Sequence, residues 1–325
     1  MSATPFLVIG IDGGGSHTAG RILDDSGNCL GSALAGPSNF RKIGLNTALS
    51  VIIQVVDKAW KQVEAKQPDF TIAALGMGLA GVDRPEDKEL ILKELIALPD
   101  CRLGILARSL PRDRLLIVND AEAALTGGVG KREGVVAVAG TGSIVWGRNA
   151  RGEVSRAGGW GHLLGDPGSA FAIGCRGIRE AFRAFDGLNP QTSLQNRLLN
   201  HYRLSRYAEF LDLAYADSFS PADWASFAPL VDEAAAEGDE ISCQIIIEAA
   251  DDLVEMTVPV IKNLFAPNYI CDVVTAGGVW SSRSGFRKRF TTKISQILPI
   301  VSVVEPLHDA AWGACLLAQY FIKSW

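Results

Sequence analysis

The chain has 325 residues, of which 48% are hydrophobic and 21% charged, and its formal net charge is −5. This length predicts about two domains with a substantial core. The excess of acidic residues and the lack of a basic stripe argue against nucleic acid as a partner. No apolar run approaches the ~20 residues that span a bilayer, so we expect no membrane segment.

Cysteine and histidine usage points to a cytoplasmic protein without a structural metal. The six cysteines include no CxxC pair, which predicts reduced thiols. The four histidines show no HxxxH spacing. The first residues lack the basic segment of a signal peptide. We therefore expect a cytoplasmic location.

Strand and helix signals alternate in the first third of the chain, which predicts a layered α/β fold. Continuous apolar runs predict buried strands, and apolar residues at helical spacing predict amphipathic helices. The predicted strands are Phe6–Ile11, Thr18–Leu23, Cys29–Ala35, Phe70–Leu79 and Leu115–Val118, and the predicted helices are Asn46–Ala65 and Pro85–Leu98.

The opening pattern of strand, glycine turn, strand, turn, strand then recurs. The second copy is predicted at Gly134–Ala139, Ile144–Arg148 and Glu153–Ala157. A mostly helical stretch follows, and two more strands precede a last helix. The predicted elements there are helices Ser169–Phe185, Gln191–Leu199, Ala222–Glu237 and Glu240–Phe265, strands Asp272–Thr275 and Ile300–Val304, and helix Asp309–Lys323. We expect two related α/β domains that face each other across a cleft.

Each copy carries a glycine turn after its first strand. The first turn reads Asp12-Gly13-Gly14-Gly15-Ser16 and the second Gly140-Thr141-Gly142-Ser143. Such turns present consecutive backbone N–H groups, which bind phosphate, and Asp12 is placed to hold Mg²⁺ through water. Either turn alone also fits an ordinary hairpin; the pair favours phosphate binding.

Two further segments carry candidate polar groups. Asp120 follows the strand Leu115–Val118, where a carboxylate can activate a hydroxyl, although a helix N-cap is the alternative. The glycine-rich loop from Gly158 to Asp166 contains Trp160, which fits a sugar site or a structural loop.

Two nucleotide-binding motifs are matched only in part, and a dehydrogenase built on the first is the least favoured alternative. Gly76-Met77-Gly78-Leu79-Ala80-Gly81 fits GxGxxG, yet helical sequence starts only near Pro85, so a glycine-lined wall is preferred to a dehydrogenase site. Gly130-Lys131-Arg132 fails the Walker A pattern.

Taken in order, the motifs resemble a known family. They are GIDGGGSHT, GPSNF, GLAG, VNDAEAAL, AGTGS, GGWGHLLGDPGSA and TAGGVW. The chain resembles the sugar kinase–Hsp70–actin superfamily, and within it the N-acetylglucosamine kinase and glucosamine kinase group of the BadF/BadG/BcrA/BcrD-type ATPases.

The resemblance implies two actin-like (ribonuclease H-like) domains, residues 1–130 plus 308–325 and residues 131–307 with a helical insertion, around an ATP and sugar cleft. It implies ATP, Mg²⁺ and transfer to the 6-hydroxyl of an amino sugar, foremost N-acetylglucosamine. By analogy, phosphate or metal contacts fall at Asp12, Gly13, Gly14, Gly15, Ser16, Gly140, Thr141 and Gly142, nucleoside contacts at Gly277, Gly278 and Ser282, and sugar contacts at Asn39, Asp120, Gly159, Trp160, Gly161 and Asp166. Asp120 would be the general base.

One departure and several alternatives stay open. Where the family usually reads GDEGS, this chain reads GDPGS, and Pro167 removes a carboxylate that bears on the sugar preference. The alternatives are a glucosamine kinase, an ATPase that activates a dehydratase or reductase, and a non-catalytic sugar sensor. A homodimer is expected because it is the commonest assembly.

Overall fold

Two five-stranded sheets organise the computed structural model, which describes residues 6–64 and 70–323. The strands of the first sheet are β1 (Phe6–Gly13), β2 (Thr18–Asp24), β3 (Cys29–Ala35), β4 (Thr71–Leu79) and β5 (Leu115–Asn119), in the order β3-β2-β1-β4-β5. The first three strands pair antiparallel, whereas β4 and β5 continue the sheet in parallel with β1.

The second sheet repeats this arrangement. Its strands are β6 (Gly134–Ala139), β7 (Ser143–Arg148), β8 (Val154–Gly158), β9 (Cys271–Ala276) and β10 (Val301–Val304), in the order β10-β9-β6-β7-β8. Read from the opposite edge, the second sheet has the same strand order as the first. The predicted α/β fold class and the predicted duplication are confirmed.

Thirteen α-helices occur in the described residues. They are α1 (Phe40–Ile43), α2 (Leu45–Glu64), α3 (Pro85–Ala97), α4 (Arg102–Ser109), α5 (Asp120–Val129), α6 (Ala170–Phe185), α7 (Leu194–Tyr202), α8 (Glu209–Ala214), α9 (Pro221–Ala225), α10 (Ala228–Ala236), α11 (Glu240–Leu264), α12 (Phe286–Ile297) and α13 (Ala310–Lys323). No helix of residues 6–64 or 70–323 is both long enough and apolar enough to cross a bilayer.

The predicted helix Ala222–Glu237 is two helices, so that prediction is wrong. Helix α9 ends at Ala225, and α10 restarts at Ala228 with Pro229 in its first turn. Proline lacks an N–H, and its ring would clash with the carbonyl of Ala225 in a continuous helix. The predicted end of α2 at Ala65 lies outside the described residues.

The chain divides into two units. Of the described residues, the first unit takes those up to Gly134, then Asn149–Gly152 and those from Glu305 onward. The second unit takes Val135–Arg148 and Glu153–Val304.

Strand β1 is apolar from Phe6 to Ile11 because both of its faces are covered. Leu7, Ile9 and Ile11 belong to one buried cluster with residues of α2, α3 and α4, whereas Val8 belongs to another with residues of α13. Parallel strands buried on both faces have such continuous apolar runs. A Cβ on Gly10 would lie 2.1 Å from the carbonyl O of Ala311, so α13 packs directly on the strand backbone.

Candidate active site

The first glycine turn joins β1 to β2 and is closed by its own backbone. The amide of Gly14 donates to the carbonyl O of His17 at 2.9 Å. Gly15 and Ser16 are exposed at the tip of the turn. Because the Gly14 amide is used within the turn, a phosphate contact predicted at this residue would fall on the tip instead.

The base of the turn is held by neighbouring backbone. A Cβ on Gly13 would lie 2.6 Å from both Leu79 Cδ2 and Ser38 Oγ, so a larger residue here would displace these two side chains. The carbonyl O of Gly14 accepts from the amides of Ser38 and Asn39 at 3.0 and 3.2 Å. The segment that carries Asn39 is therefore attached to the turn.

Asp12 and Asp120 lie at the same edge of the first sheet. Asp12 is opposite Gly78 on β4, and Gly78 is opposite Val118 on β5. Asp120 follows as the first residue of α5. A Cβ on Gly78 would lie 2.5 Å from the Cβ of Ala123, so glycine at this position lets α5 approach the strand ends.

The carboxyl of Asp12 is held in an environment that disfavours its charge. Burial, followed by the negative charges of Asp120 and Asp309, raises the pKa of Asp12 to about 8. No group of three or more His, Cys, Asp or Glu side chains among the described residues is arranged as a metal site. Asp12 would be a single protein ligand, which is compatible with Mg²⁺ because that ion is commonly held by one or two carboxylates, water and substrate phosphates.

Asp120 has the properties of a proton acceptor near neutral pH. Burial raises the pKa of Asp120 to about 6, and the charge of Asp83 acts in the same direction. The amide of Ala121 donates to Asp120 Oδ1 at 3.0 Å and opposes the shift. A carboxylate with this pKa is ionised at pH 7 and is a stronger base than an ordinary aspartate.

Asn39 lies at the N-terminus of α1. Its Oδ1 accepts from the amide of Arg41 at 3.1 Å. A Cβ on Gly81 would lie 3.1 Å from that oxygen, and Arg41 Nε donates to the carbonyl O of Gly81 at 2.7 Å. The guanidinium of Arg41 also pairs with Asp87 at 2.7 Å. Asn39 is therefore fixed beside the turn that follows β4.

The GxGxxG match is not a dinucleotide turn. Gly76 and Gly78 lie inside β4, rather than between a strand and a helix. A Cβ on Gly76 would lie 2.2 Å from the carbonyl O of Ala314, so this glycine serves the packing of α13.

The second glycine turn joins β6 to β7 in the second unit. The amide of Gly140 donates to the carbonyl O of Gly142 at 2.9 Å. The amides of Ala170 and Phe171 donate to the carbonyls of Gly140 and Thr141 at 2.9 and 3.2 Å. The N-terminus of α6 therefore supports this turn.

Asp166 lies against the second turn. Its residue is only 6% exposed, and its backbone φ is 61°, a left-handed value that is uncommon outside glycine. Its Oδ1 accepts from the amide of Ser143 at 3.1 Å, and a Cβ on Gly142 would lie 2.7 Å from its Oδ2. Ser143 Oγ donates to the carbonyl O of Pro167 at 2.7 Å. This bond uses the backbone, so it does not depend on the glutamate that the family usually has at this position.

The loop before Asp166 exposes an aromatic ring. Trp160 is 62% exposed, and the guanidinium of Arg156 lies 4.2 Å from its ring centroid. Gly159 and Gly161 have φ of 75° and 82°, which other residues rarely adopt. The loop therefore needs glycine for its backbone course.

The predicted nucleoside residues differ in their surroundings. A Cβ on Gly277 would lie 2.4 Å from the carbonyl O of Ala139, so Gly277 packs against the start of the second turn. Gly278 has open space at its Cβ position. Ser282 instead donates its hydroxyl to Asp232, which also accepts from the amide of Arg283 at 2.8 Å.

The structure thus brings part of the predicted residues into one group within each unit, whereas Ser282 bonds to Asp232. The group of the first unit contains Asp12, Gly13, Gly14, Gly15, Ser16, Asn39 and Asp120, and that of the second contains Gly140, Thr141, Gly142, Asp166 and Gly277. Asp83 and Asp309 were missed because only the fold brings them near the two aspartates. Asp309 had one sequence signal, its place at the start of the last helix.

Comparison with known proteins decides the family. The BadF/BadG/BcrA/BcrD ATPase family matches residues 9–318. The chain is a member of the BadF/BadG/BcrA/BcrD ATPase family. The predicted resemblance is confirmed, and membership of an ATPase family supports the use of ATP.

Two relatives that this chain matches over nearly their whole length are named as sugar kinases. An N-acetylmuramic acid/N-acetylglucosamine kinase of Clostridium acetobutylicum is 32% identical over 96% of this chain and 98% of its own. An N-acetyl-D-glucosamine kinase of Dictyostelium discoideum is 33% identical over 96% of this chain and 97% of its own.

Solved structures agree with the fold. A candidate N-acetylglucosamine kinase of Chromobacterium violaceum is similar with a TM-score of 0.77 and 25% identity, over 97% of this chain and 99% of the other. A ROK family glucokinase of Streptomyces griseus has a TM-score of 0.57 and 19% identity, over 97% of this chain and 99% of its own. The second likeness concerns the fold alone.

Proposed function

We propose that the chain is an ATP-dependent kinase that phosphorylates an amino sugar, foremost N-acetylglucosamine, on its 6-hydroxyl. Two relatives that match it over nearly their whole length are named for N-acetylated amino sugars. A further relative, 26% identical over 75% of this chain, is a glucosamine kinase of Vibrio cholerae, which makes glucosamine the second candidate.

The observation that carries the proposal is the environment of Asp120. A partly buried carboxylate with a pKa of about 6 stands at the edge of the sheet where the first glycine turn also lies. In the proposed reaction the sugar oxygen bonds to the γ-phosphorus, and its proton passes to the Asp120 carboxylate. The bond from the γ-phosphorus to the bridging oxygen breaks, and its electron pair leaves with ADP.

The glycine turns and Asp12 are assigned to the phosphates and the metal. Backbone amides at the tip of the first turn, Gly15 and Ser16, and at Thr141 of the second turn would bind phosphate oxygens. Asp12 would hold Mg²⁺ through water, which relieves the repulsion among the carboxylates around it. Mg²⁺, when bound, neutralises charge that develops on the phosphoryl oxygens.

We assign the sugar contacts by analogy with the family, except for Asp166. Asn39 and the loop containing Gly159, Trp160 and Gly161 would meet the sugar. We assign Asp166 first to the second turn, because its carboxylate already accepts from the amide of Ser143. Gly277 and Gly278 would border the nucleoside.

The test measures ADP release with Mg²⁺-ATP and one sugar at a time. The sugars are N-acetylglucosamine, N-acetylmuramic acid, glucosamine, N-acetylmannosamine and glucose, with a no-sugar control. Stimulation by N-acetylglucosamine supports the proposal. Equal ADP release with and without every sugar supports an ATPase activator, and sugar binding without turnover supports a sensor.

Asp120→Asn tests the base. We expect it to lower kcat by roughly 10²–10⁴-fold, the usual contribution of general base catalysis. Affinity for ATP should change little. Asp113→Asn, which removes an exposed carboxylate from the turn before β5, is the matched control. Unchanged turnover in Asp120→Asn would remove Asp120 from the reaction.

Two properties of the whole protein belong to the same proposal. We infer a cytoplasmic location from the need for ATP and from the six cysteines, all of which are free thiols. The homodimer remains a prediction, which sedimentation velocity measures.

A further inference from the structure

A lysine that no motif includes lies over the first glycine turn. Helix α1 follows Asn39, whose amide and that of Ser38 both donate to the carbonyl O of Gly14. From this helix Lys42 reaches back over the turn. Its Nζ lies 3.6 Å from the position that a Cβ on Gly15 would occupy.

The ammonium group of Lys42 is not neutralised by an ion pair within the described residues. The part of the chain that the structure describes, residues 6–64 and 70–323, offers its ammonium group no hydrogen-bond or ion-pair partner. The adjacent Arg41 differs, because its guanidinium is engaged by the carbonyl of Gly81 and by Asp87. Of these two neighbouring cations, Lys42 alone remains to bind an incoming anion.

The turn itself has limited means to hold a highly charged phosphate. The Gly14 amide already donates to the carbonyl O of His17, and the Asp120 carboxylate, which is ionised at pH 7, repels an anion. A positive charge at the tip of the turn would offset that repulsion. Lys42 supplies this charge at the place where Gly15 leaves the backbone accessible.

The position of Lys42 also links the phosphate to the sugar. Asn39 caps the N-terminus of α1, and the amide of Lys42 donates to the carbonyl O of Asn39 at 2.9 Å, so the two residues are neighbours in this short turn. Asn39 is the proposed sugar contact, and Lys42 extends over the phosphate turn. A group that lies between the two would be the phosphoryl group passing from nucleotide to sugar.

We propose that Lys42 is a further catalytic residue, whose ammonium group contacts the terminal phosphoryl group of ATP and stabilises its charge during transfer. The inference rests on the proposed function of phosphoryl transfer. Lys42 stays protonated throughout, since the hydroxyl proton goes to Asp120 and the electron pair of the broken bond leaves with ADP. Its contribution is charge alone.

Lys42→Met is the test in the full-length protein. The side chain is exposed and has no hydrogen-bond or ion-pair partner among the described residues, so the variant should keep the wild-type melting temperature. We expect kcat to fall about 10²-fold, as when one preorganised donor to a transition state is removed. The KM of the sugar should stay within about 2-fold. Lys42→Arg should restore part of kcat, because it keeps the charge.

A binding measurement separates this role from a structural one. A non-hydrolysable ATP analogue should bind Lys42→Met about 10-fold more weakly, whereas ADP, which lacks the terminal group, should bind as to wild type. Lys61→Met is the matched control, since it removes an exposed lysine from the far end of α2. Equal loss of ADP and analogue binding, or an unchanged kcat, would overturn the proposal.

The two proposals fail in different ways. Suppose that no sugar stimulates ADP release, but Lys42→Met binds the ATP analogue more weakly and ADP as well as wild type does. The sugar kinase proposal then fails, and the contact between Lys42 and the terminal phosphoryl group stands. If wild type phosphorylates a sugar and Lys42→Met does so equally well, the assignment of Lys42 fails alone.

Discussion

The side chain of Asp120 predicts how activity depends on pH. Burial raises the pKa of Asp120 to about 6, so the carboxyl becomes protonated as pH falls through that value. A protonated carboxyl cannot accept the hydroxyl proton. We therefore expect kcat/KM for the sugar to fall about tenfold per pH unit below an apparent pKa of about 6. A pH–rate profile with saturating Mg²⁺-ATP measures it.

Asp83 provides the check on this assignment. The charge of Asp83 raises the pKa of Asp120, so Asp83→Asn should move the acid limb to lower pH. Asn119 Nδ2 donates to Asp83 Oδ1 at 3.0 Å, and asparagine at position 83 can keep this contact through its own oxygen. An acid limb that stays in place, or moves upward, would mean that another group sets it.

The sequence points to Asp12 and Asp120 as candidate site residues, but not to the residues that surround them. Asp12 and Asp120 could be found because each follows an apolar strand, and parallel strands end at one edge of a sheet. Asp309 and Lys42 could not, because their proximity to Asp12 and Gly15 depends on how α13 and α1 pack. The contact between Asp166 and Ser143 likewise depends on a left-handed backbone that the loop sequence does not specify.

At the scale of elements, the position of Asp120 depends on close contact between α5 and α13. A Cβ on Gly313 would lie 1.9 Å from the carbonyl O of Ala123 and 2.4 Å from the amide N of Gly127. Neither backbone atom can move without moving α5. We expect Gly313→Ala to lower the free energy of unfolding by about 2–3 kcal/mol, as overpacking does. It should also lower kcat, because Asp120 begins that helix.

Gly36→Ala is the control for this prediction. A Cβ on Gly36 meets no atom within 4 Å, and its φ is not in the left-handed region. It should leave stability and kcat near wild-type values. Chemical denaturation of both variants measures the difference; equal stability would show that α5 and α13 can separate at little cost.

Helices were harder to predict than strands for a physical reason. The strands are buried apolar runs between turn residues, so their sequence is distinctive. The helices α4, α8 and α12 are short or strongly polar, and their formation depends on the surfaces they cover. The break at Pro229 could have been read from the sequence, since proline inside an apolar helical pattern predicts a boundary.

At the scale of the whole molecule, the two units share a strand order and a glycine turn between the first two strands of each sheet. They differ in what surrounds that turn. In the first unit it adjoins Asp12, whereas in the second it is supported by the N-terminus of α6 and by Asp166. Both turns are held by hydrogen bonds, but the carboxyl beside the first belongs to its own strand β1, whereas Asp166 reaches the second turn from a loop.

This difference gives the ligand-free protein a distinct dependence of stability on pH. The pKa of Asp12 is raised from 3.8 to about 8 in the folded chain, so the folded state favours its protonated form. Its contribution to stability is full below pH 4 and is lost as pH rises through about 8. The effect of Asp251 on stability has the opposite dependence on pH, since hydrogen bonds and charge from Arg289 and Lys293 lower its pKa to about 2. Its contribution is lost only below about pH 4.

Asp12→Asn isolates the effect of the first carboxyl. Asparagine cannot ionise, so the variant should be more stable than wild type by a margin that grows between pH 5 and pH 8 in the absence of Mg²⁺ and nucleotide. Melting temperatures at both pH values measure the margin. Mg²⁺-ATP should reverse the order, because wild type then gains a cation that the variant binds poorly. A margin independent of pH would mean that Asp12 is already ionised in the ligand-free fold, and the raised pKa would then be wrong.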